Sequence, residues 1–133
     1  MSNDLVYALA YDVTGVAMKL HTALGPDHRE LIYQRGMLYR LQDAGYAVDS
    51  HPVLPLNDDG HSLVDYEGDL RVTRDGVTIL IELKADPAGI QKSDFRQARA
   101  YLSVSAIDQA VLLLNFGTRS LEHKPVYKAW RRR

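Results

Sequence analysis

The sequence predicts an α/β domain of element order α-α-β-β-β-α-β, and three observations carry that prediction. Residues 5–24 repeat apolar side chains at helical spacing. Asp75-Gly76, a strong tight-turn signal, joins two strand-like runs. Gln109 to Phe116 is a continuous apolar run of strand length.

In the first helix, Leu5, Leu9, Val13, Val16, Leu20 and Leu24 recur three or four residues apart, and Val6, Ala10 and Ala17 widen the stripe. Gly25-Pro26 ends it. A second helix is expected from about His28 to Ala44, burying Leu31, Leu38 and Leu41 and stopping at Gly45. Tyr46 to Leu56 reads as one strand, and Pro52 and Pro55 favour an edge position. Asn57-Asp-Asp-Gly60 is a turn. From about Leu63 to Thr73, Val64, Tyr66, Leu70 and Val72 alternate with Asp65, Glu67, Asp69 and Arg71, as in a strand with one apolar and one charged face. After the Asp75-Gly76 turn, Val77 to Lys84 places Val77, Ile79, Ile81 and Leu83 on the core side. Asp86-Pro-Ala-Gly89 breaks the chain. A third helix follows, from about Gln91 or Ser93 to Val104. Gln109 to Phe116 alternates nothing, as a strand buried on both faces does. Lys124 to Trp130 is an edge strand or a loose tail.

At 133 residues, 46% hydrophobic and 25% charged, the chain matches an ordinary globular protein and suffices for one core. No apolar run approaches the roughly 20 residues of a membrane span, and Met1-Ser-Asn-Asp lacks the start of a signal peptide. The cytoplasm is the expected location, with no membrane partner. The absence of cysteine excludes disulfides, thiolate metal sites and a cysteine nucleophile. Net charge is −1, but from Arg119 onward six basic residues face one acid, Glu122. Such a tail contacts phosphates or is simply a solvated end.

The hairpin carries the chemistry. A two-residue type I′ loop at Asp75-Gly76 pairs Arg74 with Val77. Counting back from that pair sets Asp69 opposite Glu82, and Glu67 opposite Lys84. Facing carboxylates destabilise a bare sheet, so the arrangement asks for a cation. Lys84 shares the face of Glu82 by strand alternation. Two acids and a lysine at a strand end point to a metal-assisted hydrolase. A three-residue loop would shift the register by one and separate the acids.

Asp69 followed by Glu82-Leu83-Lys84 at the end of an apolar strand resembles the signature of the PD-(D/E)XK nuclease superfamily. Leu24-Gly-Pro-Asp-His-Arg-Glu-Leu-Ile-Tyr33 resembles the motif naming its small bacterial GxxExxY branch. Gln97-Ala-Arg-Ala-Tyr101 resembles the superfamily's helix glutamine motif, and Leu114-Asn-Phe-Gly117 the branch's strand ending. The similarity covers about residues 5–118. It implies a restriction-endonuclease-like core, a mixed sheet flanked by helices, over residues 1–133 as one domain. It also implies a nuclease that cuts DNA rather than RNA. In that reading Asp69, Glu82 and the Leu83 backbone carbonyl hold Mg2+ or Mn2+, which prefer oxygen ligands. Lys84 orients the attacking water or neutralises developing charge. Glu30 completes the acidic cluster, and Gln97, Tyr101 and Tyr33 reach the substrate. A homodimer or a protein partner would supply specificity.

Each assignment has a structural competitor. Asp27, which replaces a glycine of the branch motif, and Glu30 have capping-box spacing. Lys84 could pair across the strands with Glu67. Asp65, Glu67 and Asp69 could form one solvated face, and Gln97 and Tyr101 a polar shoulder and a core aromatic. The histidines show no metal-ligand spacing. The competing functions are a catalytically silent nuclease-like module that binds nucleic acid or protein, and a plain dimerisation or scaffold domain.

Overall fold

The protein is described by a computed structural model over residues 3–129. Its elements are α1 (Asp4–Leu24), α2 (Glu30–Asp43), β1 (Ala47–Ser50), β2 (Val53–Asp58), β3 (His61–Glu67), β4 (Leu70–Arg74), β5 (Val77–Lys84), α3 (Lys92–Val104), β6 (Asp108–Asn115) and β7 (Glu122–Tyr127). Five strands form a mixed sheet in the order β1-β4-β5-β6-β7, with β5 and β6 parallel and the other pairs antiparallel. The α/β class, the order of the helices and the mixed sheet agree with expectation. Among the described residues no helix is long and apolar enough to cross a membrane.

Each of two expected strands is in fact a pair. The run from Tyr46 breaks at His51-Pro52, and the run from Leu63 breaks at Gly68-Asp69; β2 and β3 then form a separate two-stranded ribbon. His51 adopts a left-handed conformation at φ 53°, and Pro52 has no N–H to continue a ladder. The two breaks face each other: His51 N–H donates to Asp69 O at 2.9 Å, and Gly68 N–H to Pro52 O at 2.9 Å. Alternation alone does not reveal this, because the apolar period continues across both breaks. The ribbon also removes Asp65 and Glu67 from the face expected to carry Asp69.

The Asp75-Gly76 turn has positive φ at both positions, 54° and 79°, and the ladder runs from Arg74↔Val77 to Leu70↔Ile81 as the two-residue loop requires. The last strand spans Glu122–Tyr127 and pairs antiparallel with β6, so that segment is an edge strand. Trp130 and Arg131 to Arg133 lie outside the described residues.

Apolar clusters cover both sheet faces. Leu9, Val13, Tyr33 and Met37 of α1 and α2 pack on Val72, Ile79, Ile81, Leu83, Leu112 and Leu114. Leu54, Ala98, Tyr101 and Leu102 pack on Leu80, Val111 and Leu113 on the other face. By alternation Glu82 shares its face with Leu80, so it comes out buried beside α3 and the ribbon at 4% exposure.

The turn after β5 is clasped to the end of β6. Asp86 N–H donates to Asn115 Oδ1 at 2.9 Å, and Asn115 Nδ2 donates to Asp86 O at 2.8 Å and Glu122 Oε1 at 2.9 Å. A Cβ on Gly117 would stand 2.5 Å from the main chain of Ala85 and Asp86. Gly117→Ala is therefore expected to lower stability by about 1–3 kcal/mol. Gly15→Ala, in α1 with nothing within 4 Å of the added methyl, should raise it by about 0.5–1 kcal/mol. Urea midpoints of the two variants check the opposite signs; a Gly117→Ala protein as stable as the parent would refute the clasp.

Candidate active site

The site lies where β5 outruns β4. The β4–β5 ladder ends at Leu70↔Ile81, while β5 stays paired with β6 as far as Lys84↔Asn115. Beyond Ile81 the β4 side of β5 has lost its strand, and Asp69 fills the gap with its side chain. Leu83 N–H donates to Asp69 Oδ2 at 2.7 Å, and Asp69 N–H donates to Glu82 Oε1 at 3.0 Å. The expected direct opposition of Asp69 and Glu82 within the ladder is thus not formed. The two acids meet instead through these main-chain hydrogen bonds. Gly68 permits the approach, since a Cβ there would stand 3.2 Å from Glu82 Oε1 and 3.3 Å from Pro52.

Burial sets the electrostatics. It pushes Glu82 up to about 9, with the Asp69 charge adding to the rise and the Asp69 N–H and Lys84 opposing it. Burial also raises Asp69, against the Leu83 N–H and the Lys84 charge. Tyr101 is pushed up to about 12 by burial and then by Glu82 and Asp69. The pair is best treated as one unit that holds its last proton far above the usual carboxylate range.

Glu30 does not cap its helix. Residues 25–29 are non-helical, α2 begins at Glu30 itself rather than near His28, and its N-cap is Arg29 with no side-chain cap bond. The capping-box reading with Asp27 fails because both residues sit too early for it. Glu30 is instead half-buried, its carboxyl raised by burial and then by Asp69. Gln34 links the two: Nε2 donates to Glu30 Oε1 at 3.4 Å and to Asp69 Oδ1 at 3.1 Å. Gln34 went unmarked in the sequence, although its i+4 spacing from Glu30 is a usable signal.

Lys84 does not pair with Glu67, which lies in β3 opposite Val53. Its Nζ stands 3.6 Å from Asp94 Oδ1. Asp94 is in turn fixed at the start of α3, where its Oδ2 accepts the Gln91 N–H at 2.8 Å in a capping box. Asp94 was also missed, because it reads locally as nothing more than a helix cap. Tyr101 is a core aromatic beside the acids: 4% exposed, ring against Tyr66, hydroxyl donating to Glu67 O at 3.1 Å. Gln97 lies one turn before it on the same face and is half-buried. Substrate contact by Tyr33 is corrected. The ring is fully buried, stacked on Phe116 with centroids 4.5 Å apart, and its hydroxyl donates to Gly25 O and accepts the His28 N–H.

The donor set suits a hard divalent cation. Asp69 and Glu82 offer carboxylate oxygens, and the Leu83 C=O faces the same side of β5 as its N–H, the side where Asp69 lies. Among the described residues no three His, Cys, Asp or Glu side chains form a metal-holding group. Waters would therefore fill the remaining positions, as Mg2+ prefers. Two desolvated acids driven above their ordinary range are what a bound cation would relieve.

A family model of the PD-(D/E)XK nuclease superfamily matches residues 7–128. No curated protein matches the chain. A crystal structure titled as a protein of unknown function, AF1548, is similar over 63% of this chain at 20% identity with a TM-score of 0.49, and the chain spans 46% of that protein.

The raised acids fix a pH dependence. The unfolded chain releases the Glu82 proton near 4.5 and the folded chain near 9. Between these values the folded state binds more protons, so stability falls as pH rises, by up to about 1.4 kcal/mol per pH unit for one group. In chelator, Glu82→Gln should flatten the fall in thermal midpoint between pH 5 and 9 and be the more stable protein at pH 8. Adding Mn2+ should raise the parent's midpoint but not the variant's. Equal slopes for both proteins would refute the buried-pair electrostatics.

Proposed function

We propose, because the chain belongs to the PD-(D/E)XK nuclease superfamily, that it is a Mg2+- or Mn2+-dependent nuclease of the GxxExxY branch that hydrolyses phosphodiester bonds, with DNA the expected substrate. The observation that carries the reading is the Asp69–Glu82 pair, Glu82 buried and Asp69 half-buried, tied to the β5 main chain beside Lys84. The reading takes residues 1–133 as one cytoplasmic domain, with sequence preference left to a second copy or a protein partner.

Asp69, Glu82 and the Leu83 carbonyl would hold the cation, with Glu30 joining through water. When bound, the cation lowers the pKa of a water and neutralises charge on the scissile phosphate. The chain's residues do the rest. Asp69 is aimed by the Leu83 N–H and Gln34, and Glu82 by the Asp69 N–H. Lys84 supplies an ammonium beside the acids, placed to orient the attacking water or meet developing charge on the phosphate. Tyr101, kept protonated by its surroundings, closes the wall next to the acids, and Gln97 stands one turn before it.

The Lys84–Asp94 contact favours a second reading, a nuclease-like module that binds nucleic acid without cutting it, since a lysine held by an acid is withdrawn from the phosphate. Cleavage of plasmid, linear and single-stranded DNA and of RNA with Mn2+ or Mg2+ separates the two. Under the nuclease reading, Asp69→Asn, Glu82→Gln and Lys84→Ala each lower the rate by about 10²–10³-fold, and Gln34→Ala by about 10–100-fold. Activity unchanged in both Glu82→Gln and Lys84→Ala would overturn that reading, and binding without turnover under either metal would establish the second.

A further inference from the structure

Beside Asp69 a groove of about 230 Å3 opens between α2 and the end of β1. Leu31, Arg35 and Tyr39 form one wall, at four-residue spacing along one face of α2. Ser50 and His51 form the other, and Asp69 lies at its edge. We infer that this groove is a nucleotide subsite, which receives an unpaired nucleotide flanking the scissile phosphate: Tyr39 stacks on the base, and Arg35 and His51 meet the adjoining phosphate. The inference rests on the nuclease reading of the neighbouring acids.

Four observations support it. Tyr39 is 59% exposed and Leu31 42%, an aromatic and an aliphatic surface offered to solvent where a helix face facing nothing would be polar. Arg35, one turn from Tyr39, is exposed and has no ion pair or hydrogen bond among the described residues. A guanidinium is suited to phosphate oxygens, which it can meet with two donors. His51 holds a left-handed backbone rare for a residue other than glycine. Its N–H is tied to Asp69 O at 2.9 Å, so the residue is held beside Asp69 in the groove lining. Lastly, the groove is continuous with the site, because Gln34 and Asp69 line both.

The chemistry selects the form of the substrate. An exposed tyrosine gains from a base only when the base presents its face, which a paired and stacked base does not. The subsite therefore takes single strands, or the frayed or flapped end of a duplex.

Binding without turnover tests this independently of catalysis. The anisotropy of a fluorescent single-stranded 12-mer and of the matching blunt duplex is measured in chelator. Tyr39→Leu should weaken single-strand binding by about 5- to 100-fold, Tyr39→Phe should retain it, and duplex binding should change little in either. Arg35→Ala should lower the salt slope for the single strand by about 0.7, whereas Arg96→Ala, on α3, should not. Single-strand binding by Tyr39→Leu and Arg35→Ala equal to the parent's overturns the subsite, as does an equal loss for strand and duplex. If Tyr39→Leu selectively loses the single strand while no metal supports cleavage, the groove binds an unpaired nucleotide with no scissile phosphate beside it, and the nuclease reading fails. If cleavage depends on Glu82 but Tyr39→Leu and Arg35→Ala both bind like the parent, the reverse holds.

Discussion

One strand that outruns its neighbour determines the candidate site. Past Ile81 the β4 side of β5 has no partner strand, and a main-chain donor left there without a bond would cost about 1–3 kcal/mol. Asp69 supplies the missing acceptor to Leu83 at 2.7 Å. In doing so it is drawn against Glu82, whose carboxylate takes the Asp69 N–H at 3.0 Å. The two acids are therefore adjacent because the sheet needs a hydrogen bond there. Backbone satisfaction and the assembly of the acidic pair are the same event, and Gly68 leaves room for it, since a Cβ there would stand 3.2 Å from Glu82 Oε1.

Everything around that gap either opens it or keeps it open. His51-Pro52 and Gly68-Asp69 turn the chain out of the sheet at the same level, so β1 and β4 end together and the β2–β3 ribbon crosses to the α3 face. On the far side Asn115 and Glu122 grip the turn after β5. Glu122 also accepts the Ile90 N–H at 3.1 Å, just ahead of the Gln91 cap of α3. That grip fixes where α3 starts, and hence where Asp94 stands relative to Lys84.

Such a site works against the stability of the fold. Burial raises both carboxyls, Glu82 up to about 9, so the folded chain must hold a proton there that the unfolded chain gives up. It is tolerated because β5 and β6 are buried on both faces by two apolar clusters, which anchor the strand ends rigidly on either side. The local conflict, acids placed in a dry strand end, is of the kind proteins keep at functional sites.

How much of this was legible in the sequence depends on the range of the forces involved. The amphipathic period of α1, the Asp75-Gly76 turn and the unbroken apolar run of β6 are local signals, and each gave its element with boundaries accurate to a few residues. The hairpin register is local too, and together with the family resemblance it marked Asp69, Glu82 and Lys84 as candidates, although the ladder ends at Leu70↔Ile81 before the two acids would face each other. What lay beyond local rules was decided by tertiary contacts. Alternation cannot show that two long strands break at Pro52 and Gly68, because the breaks stabilise each other across 16 residues of chain through the hydrogen bonds between residues 51–52 and 68–69. Nor can spacing separate a helix cap from a site acid at Glu30, since that depends on where α2 starts when Tyr33 docks on Phe116. The sequence by itself determined which side chains are candidates for the chemistry. Only the tertiary structure decided which of them meet, because burial, the Gln34 bridge, the Asp94 contact and the groove beside His51 are made by residues far apart along the chain.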